Sequence, residues 1–92
     1  SKGAILTVTK IFARELASRG VTVNSVAPGP HDLPVVRTTV PPERLDAVIA
    51  GIPVGSLGDP SFIADLVALL AAENAGFMTG ACVDVNGGLF VR

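Results

Sequence analysis

Residues 21–30 read VTVNSVAPGP, and this stretch decides which class of fold the chain can adopt. Val21–Ala27 is short, uncharged and rich in β-branched side chains, which is typical of a strand in the interior of a parallel sheet. Gly20 suits the left-handed residue that ends a helix, and Pro28–Pro30 predicts a tight turn. The stretch therefore predicts the end of a helix, a buried strand and a stiff turn, in that order.

The sequence on either side of this strand predicts helices and one more strand. Gly3–Arg19 repeats apolar side chains at helical spacing over a broad face. Asp59 can accept hydrogen bonds from free helical N–H groups and Pro60 suits the first helical position, so a helix is predicted from there to about Asn74. A second strand is predicted at Ala81–Val85. Helices that alternate with strands in this way predict an α/β fold with a parallel sheet.

The segment between the two halves of this pattern is predicted to be a lid. Residues 31–58 contain four prolines that interrupt regular structure, with one short helix predicted at Pro42–Ala50. Long excursions in compact domains often cover a binding site, so we interpret residues 31–58 as a substrate lid. Two parallel strands bury little surface by themselves. We therefore expect the complete sheet to contain further strands that this sequence does not supply.

Composition excludes several classes of function. Hydrophobic residues make up 49% of the 92 residues, charged residues 16%, and the net charge is −1. This balance predicts a globular domain, and the scattered basic residues argue against nucleic-acid binding. No apolar run is long enough for a membrane span, and one His with one Cys cannot make a zinc site. With a lone cysteine and no signal peptide, we expect a cytoplasmic protein.

Four motifs, in order and at the right spacing, resemble the short-chain dehydrogenase/reductase family. Ser1–Ala4 resembles the residues that follow the catalytic tyrosine in the motif Tyr-x-x-x-Lys of that family. Val23–Gly29 resembles the strand and Pro-Gly turn at its nicotinamide site, and Gly58–Pro60 resembles the start of a late helix. Thr79–Gly88 resembles the last strand, which usually ends Val-Asp-Gly-Gly. Each motif is weak alone, but together they cover nearly the whole chain.

The resemblance implies both a fold and an activity. It implies that residues 1–92 form one partial domain, the carboxyl-terminal part of a Rossmann-type doubly wound parallel sheet. The parent protein would be an NAD- or NADP-dependent oxidoreductase that interconverts a small-molecule alcohol and carbonyl by hydride transfer. The chain looks closest to oxoacyl-carrier-protein reductases. The residue that distinguishes NAD from NADP at the ribose is expected outside this chain, so the sequence does not choose between them.

The same resemblance implies roles for particular residues. Lys2 would match the family lysine, which holds the nicotinamide ribose and lowers the pKa of the catalytic tyrosine. Pro28, Gly29 and Pro30 would match the turn beside the nicotinamide, where a glycine lets a flat ring approach the backbone. His31 would supply backbone groups to the carboxamide. Without the resemblance, Lys2 would be an ordinary terminal lysine.

The chain departs from the family pattern at two positions and lacks two parts. Many members carry Thr where this chain has Leu33, so that hydroxyl contact is absent unless Thr38 or Thr39 of the lid supplies it. Asn86 replaces the aspartate of Val-Asp-Gly-Gly. The chain contains no tyrosine and no Gly-x-x-x-Gly-x-Gly loop for a pyrophosphate. We therefore expect the isolated chain to be inactive.

Other interpretations stay open at this point. The chain could be a non-catalytic association module or a partial gene product. Phe62–Ala72 is apolar on nearly all sides, and family tetramers commonly pair through this helix and the last strand, so we expect a homo-oligomer, a dimer or tetramer, in the parent enzyme. The adjacent pair His31-Asp32 could act as an acid and base, although a solvated turn is the more usual outcome for such a pair.

Overall fold

The computed structural model describes residues 2–91 and confirms the α/β class. The main elements are α1 (Lys2–Leu16), β1 (Ser25–Pro28), α2 (Pro34–Thr39), α3 (Pro42–Ala50), α4 (Pro60–Leu70) and β2 (Cys82–Val85). Short 3-10 turns follow α1 at Ala17–Arg19 and α4 at Glu73–Ala75. The two strands form one sheet in the order β1-β2, which is the parallel pair that the alternation of helices and strands predicts.

The contacts divide the chain into two compact units. The first unit contains the residues up to Ala27 together with Asp65–Val83, and the second contains Pro28–Ala64 together with the residues from Asp84 on. The prediction that the whole chain makes one partial domain stays a prediction. No helix within residues 2–91 combines the length and the apolar character needed to cross a bilayer.

In the first unit, α1 leads into β1 through a glycine turn. Thr9 and Ala13 are the buried residues of α1. Gly20 has φ 77° and its N–H donates to the carbonyl of Ala17, which confirms the predicted left-handed helix end. The α-helix itself ends at Leu16, so the last predicted turn, up to Arg19, is a tighter 3-10 turn instead.

Strand β1 begins four residues later than the sequence predicts. The Val23 N–H donates to Thr79 Oγ1 at 3.0 Å, and Asn24 Oδ1 accepts from the Ala81 N–H at 3.0 Å. One backbone bond remains at this end, from the Gly80 N–H to the Val23 carbonyl at 2.8 Å, while side chains take part in the other two. Regular pairing starts at Ser25, whose N–H donates to the Ala81 carbonyl at 2.9 Å. The prediction of a strand over Val21–Ala27 was therefore wrong at its start, while β2 begins one residue later than predicted and ends at the predicted Val85.

In the second unit, residues 31–58, predicted to be a lid, contain two helices rather than one. Helix α3 confirms the predicted helix at Pro42–Ala50, whereas α2 was missed although Pro34 occupies a typical helix-start position. Leu45 of α3 and Ile52, which follows this helix, are buried. The helix predicted from Asp59-Pro60 is confirmed as α4, with Asp59 Oδ1 accepting from the Ser61 N–H at 2.9 Å, but it ends at Leu70 rather than near Asn74.

Candidate functional site

The turn after β1 is held against the end of β2. The Gly29 N–H donates to the Val85 carbonyl at 2.8 Å. A Cβ added to Gly29 would lie 2.7 Å from the Asn86 Cβ and 2.9 Å from its Cα, distances that real Cβ atoms do not tolerate. The structural reason for glycine is thus the close approach of β2. Our expectation that the missing Cβ leaves room for a flat ring was wrong for that side of Gly29, because Asn86 fills it.

His31 lies at the end of this turn with its ring buried. Only 9% of the residue is exposed, and Nδ1 lies 2.7 Å from the Gly29 carbonyl oxygen. A carbonyl can only accept a hydrogen bond, so Nδ1 carries the proton and donates it. The imidazole therefore ties the side chain of His31 back to the Pro-Gly turn.

The backbone at His31 pairs with Gly58 in an isolated parallel bridge. The Asp32 N–H donates to the Gly58 carbonyl at 2.8 Å, and the Gly58 N–H donates to the Pro30 carbonyl at 3.0 Å. The neighbours of His31 make these bonds, so its own N–H and C=O face away from Gly58. Its carbonyl accepts from the Leu33 N–H at 3.1 Å. The His31 N–H has no acceptor within residues 2–91 and so leaves one main-chain donor available at the turn.

His31 and Asp32 do not pair with each other. Both Asp32 oxygens accept from Arg37 of α2, Oδ1 from Nε at 2.8 Å and Oδ2 from Nη2 at 2.9 Å. These hydrogen bonds hold the pKa of Asp32 below its ordinary value and raise the pKa of Arg37. The pair is exposed, so it adds little stability. The arrangement favours the solvated-turn interpretation of His31-Asp32 over an acid–base pair.

Thr38 and Thr39, the two candidates to replace the family threonine at Leu33, use their hydroxyls within α2. Thr38 Oγ1 donates to the carbonyl of Pro34 at 3.1 Å, and Thr39 Oγ1 donates to the carbonyl of Val35 at 2.5 Å. Both hydroxyls thus bond to the backbone of α2 itself. Leu33 precedes α2 and is 40% exposed.

A small cavity lies beside the turn within the second unit. Its volume is about 80 Å³, and Pro30, His31, Ile52, Val54 and Gly58 are among the residues that line it. Sites for small molecules usually enclose roughly 300–1,000 Å³, so this cavity is not itself a substrate pocket. In the part of the chain that the structure describes, no three His, Cys, Asp or Glu side chains come together as metal ligands.

The predicted site residues are divided between the two units. The turn Pro28–His31 belongs to the second unit, where it is gathered with Gly58 and Asn86. Lys2 belongs to the first unit, where it is the first residue of α1 and its side chain is exposed. The parts played by Gly58 and Asn86 were missed, because no local pattern tells which distant residue packs against a glycine.

Comparison with known proteins assigns the chain to a family. A family model described as enoyl-(acyl carrier protein) reductase matches residues 1–90. The (3R)-3-hydroxyacyl-CoA dehydrogenase of Canis lupus familiaris is 46% identical over 99% of this chain and 35% of its own length. The 3-oxoacyl-[acyl-carrier-protein] reductase of Vibrio cholerae is 44% identical over 99% of this chain and 37% of its own. The acetoacetyl-CoA reductase of Shinella zoogloeoides is 42% identical over 98% of this chain and 37% of its own length.

These matches extend over nearly every residue, so they confirm the resemblance that the four motifs indicate. The fold class and the matches place the chain in a family of Rossmann-type oxidoreductases. The chain belongs to the short-chain dehydrogenase/reductase family, whose members generally use NAD or NADP and act on small molecules. It spans about a third of the length of the curated relatives that it matches.

Proposed function

We propose that this chain serves as the carboxyl-terminal third of an NAD- or NADP-dependent reductase that interconverts 3-oxoacyl and 3-hydroxyacyl thioesters. The observation that carries the proposal is the match over 98–99% of the chain to three relatives whose names share this chemistry. In the reducing direction a carbonyl takes up a hydride at carbon and a proton at oxygen. The products are an alcohol and the oxidised nicotinamide.

In this proposal Lys2 and the turn Pro28–His31 each contribute to cofactor binding in the intact enzyme. The His31 N–H, which has no acceptor among residues 2–91, fits the carbonyl oxygen of a carboxamide, since it is a main-chain donor held in place by the bridge to Gly58. Pro28, Gly29 and Pro30 fix the path of the backbone, and the exposed ammonium of Lys2 suits ribose hydroxyls. When bound, the nicotinamide supplies or accepts the hydride.

The remaining parts of the proposal concern the segments around this site. Residues 31–58 act as the substrate lid, and residues 1–92 form one partial domain of the intact enzyme. Catalysis takes place in the cytoplasm. The tyrosine that exchanges the proton and the loop that binds the pyrophosphate come from outside this chain, because the chain has no tyrosine and no such loop.

A chimera tests the proposed function directly. It joins the amino-terminal part of the Vibrio cholerae reductase, up to the matched segment, to this 92-residue chain. We expect the chimera to oxidise NADPH or NADH in the presence of acetoacetyl-CoA, while the isolated chain shows neither turnover nor micromolar binding of either cofactor. The reason is that only the chimera has a tyrosine and a phosphate loop.

The two arms of this test fail in different ways. A folded chimera that does not reduce acetoacetyl-CoA contradicts the proposed function. Steady turnover or micromolar cofactor binding by the isolated chain contradicts the division of the active site. The unaltered Vibrio cholerae enzyme, assayed in parallel, controls for the quality of substrate and cofactor.

The second prediction concerns self-association through α4 and the last strand. Ile63, Leu66 and Leu70 are half-buried, whereas Val67 and Leu69 are 51% and 64% exposed. An apolar side chain this exposed on a helix with no polar face is typical of a subunit contact. We expect Leu69→Asp to shift the chimera from a dimer or tetramer toward smaller species in sedimentation velocity, since it places a charge in an apolar interface.

A matched variant separates an interface effect from a charge effect. Ser61→Asp adds the same charge to an exposed position of α4, where the start of the helix favours it, and should leave sedimentation unchanged. A chimera that is already monomeric at micromolar concentration, or one in which both variants sediment alike, contradicts the proposed interface.

A further inference from the structure

We propose that His31 is a positioning residue whose imidazole fastens the two ends of the lid to the Pro-Gly turn, and that residue 58 is glycine in order to admit this ring. The contact of the His31 ring with Gly58 and with the Gly29 carbonyl is here called the clasp. Its connection to catalysis rests on the proposed function, because that function makes residues 31–58 a lid and Pro28–His31 a cofactor site. Its geometry stands independently.

The clasp joins residues that begin and end the lid segment. His31 and Gly58 are 27 positions apart, yet they form a parallel backbone bridge secured by two hydrogen bonds of 2.8 and 3.0 Å. With both ends fixed at one place, the segment between them is a closed loop that contains α2 and α3. The segment is attached to the rest of the second unit by whatever holds His31, and also by the hydrogen bond from the Val54 N–H to the Gly87 carbonyl at 3.0 Å.

The imidazole ring is the side-chain group that holds His31, beside the backbone bridge to Gly58. It is buried, and Nδ1 donates to the Gly29 carbonyl at 2.7 Å. The same Gly29 is bound through its N–H to the Val85 carbonyl at the end of β2. The ring thus links the lid ends, through one glycine, to the strand that anchors the turn.

Gly58 owes its identity to this ring rather than to its backbone conformation. Its φ lies outside the left-handed region, so an L-residue could adopt it. A Cβ added there would instead lie 2.6 Å from His31 Cδ2, 2.6 Å from Nε2 and 3.1 Å from Cε1. An alanine at this position must displace the ring, and a displaced ring loses its hydrogen bond to Gly29.

This arrangement gives the clasp a role in orienting the His31 N–H. That N–H faces away from Gly58, and its direction follows from the bridge and from the ring that keeps the bridge against the turn. Displacing the ring therefore changes where the donor points without removing the donor. The measurable consequence is weaker cofactor binding rather than loss of the reacting groups.

A double-mutant cycle in the chimera tests the clasp. We expect Gly58→Ala to lower the thermal midpoint by roughly 2–8 °C, since inserting a methyl group into packed surroundings is destabilising. The same substitution should have almost no effect in a His31→Ala background, where the ring is gone. Gly76→Ala is the matched control, because Gly76 has φ −67° and a Cβ there meets nothing within 4 Å.

Two further variants separate positioning from simple packing. The amide nitrogen of His31→Asn takes the place of Nδ1 and can donate to the Gly29 carbonyl, whereas that of His31→Gln takes the place of Nε2. We expect His31→Ala to raise the KM for the nicotinamide cofactor several-fold with a smaller change in kcat. His31→Asn should bring the KM most of the way back to that of the unaltered chimera, and His31→Gln should bring it back only a little. Hydrogen exchange at lid amides 33–57 should accelerate in Ala and Gln and recover in Asn.

Each result supports or overturns the clasp. If Gly58→Ala costs as much stability with His31→Ala as with the natural histidine, the ring is not why residue 58 is glycine. If Asn and Gln behave alike in lid exchange and in cofactor KM, the bond to Gly29 does not position the turn. The stability and exchange measurements do not require catalysis. An inactive chimera in which the effects of Gly58→Ala and His31→Ala are still coupled would therefore contradict the proposed function but support the clasp.

Discussion

Replacing Gly29 with alanine is expected to lower the free energy of unfolding of the chimera by about 2–4 kcal/mol, a large effect for one methyl group. The added Cβ would lie 2.7 Å from the Asn86 Cβ and 2.9 Å from the Asn86 Cα. The second atom belongs to the main chain, so the end of β2 has to move away as a whole. That movement also strains the 2.8 Å hydrogen bond from the Gly29 N–H to the Val85 carbonyl.

Denaturant titration measures this loss, with Gly76→Ala as the control for a glycine-to-alanine change in open space. Combining Gly29→Ala with Asn86→Gly removes the contact with the Asn86 Cβ but not the contact with its Cα. We therefore expect Gly29→Ala to cost less stability in the Asn86→Gly background than in the unaltered chimera, but still to cost some. An unchanged denaturation midpoint for Gly29→Ala would mean that β1 and β2 can separate freely at this point.

The two glycines of the candidate site, Gly29 and Gly58, thus differ in which atoms an added Cβ would meet. Gly29 faces main-chain atoms of Asn86, just after β2, as well as its Cβ, so shortening that side chain cannot fully relieve a substitution there. Gly58 faces the far atoms of one side chain, the ring of His31, and the cost of a substitution should disappear with that ring. Both glycines are visible in the sequence, but only the structure shows which neighbour excludes a Cβ at each.

Local signals in the sequence predicted the helices better than they predicted β1. Asp59-Pro60 and Gly20 mark helix ends through short-range geometry, and the structure has an N-terminal cap at the first and φ 77° at the second. The start of β1 depends instead on Asn24 and Thr79, two side chains 55 positions apart that take over backbone hydrogen bonds. Strand propensity at Val21–Ala27 carries no information about that exchange.

The candidate site was predictable only in part for the same reason. The order of four motifs predicted the family, and the comparisons confirm it. The pairing of His31 with Gly58 is a contact across 27 residues, and it depends on a histidine whose sequence context suggests only a turn. The roles of Lys2 and Pro28–His31 stay predictions, of which the variants of Lys2 and His31 test two.

The last prediction is that Lys2→Met slows turnover of the chimera about 30-fold. An ammonium about 4 Å from a phenolate, at an effective dielectric of about 20, stabilises it by roughly 4 kcal/mol. Losing even half of that interaction raises the barrier by about 2 kcal/mol, which corresponds to the 30-fold change. The fold should survive, because Lys2 is an exposed residue at the first position of α1 and Met keeps most of its length.

The pH dependence distinguishes this role from simple binding. In the direction of alcohol oxidation the tyrosine must be deprotonated, so the rate rises with pH through its pKa. The positive charge of Lys2 lowers that pKa. Removing the charge should therefore shift the rising limb of the pH–rate profile up toward about 10, the pKa of an unperturbed tyrosine. Lys2→Arg should rescue only in part, since a guanidinium is wider and places its charge differently.

Lys10→Met is the matched control, since Lys10 is an exposed lysine of the same helix and the substitution removes the same charge. We expect Lys10→Met to leave both the turnover rate and the position of the rising limb of the pH–rate profile near those of the unaltered chimera. Turnover measured against pH for the three proteins decides the question, because a general loss of positive charge from α1 would affect Lys2→Met and Lys10→Met alike. If Lys2→Met keeps the same turnover and the same limb, Lys2 is an ordinary lysine at a helix start, and its assignment to the active site is wrong.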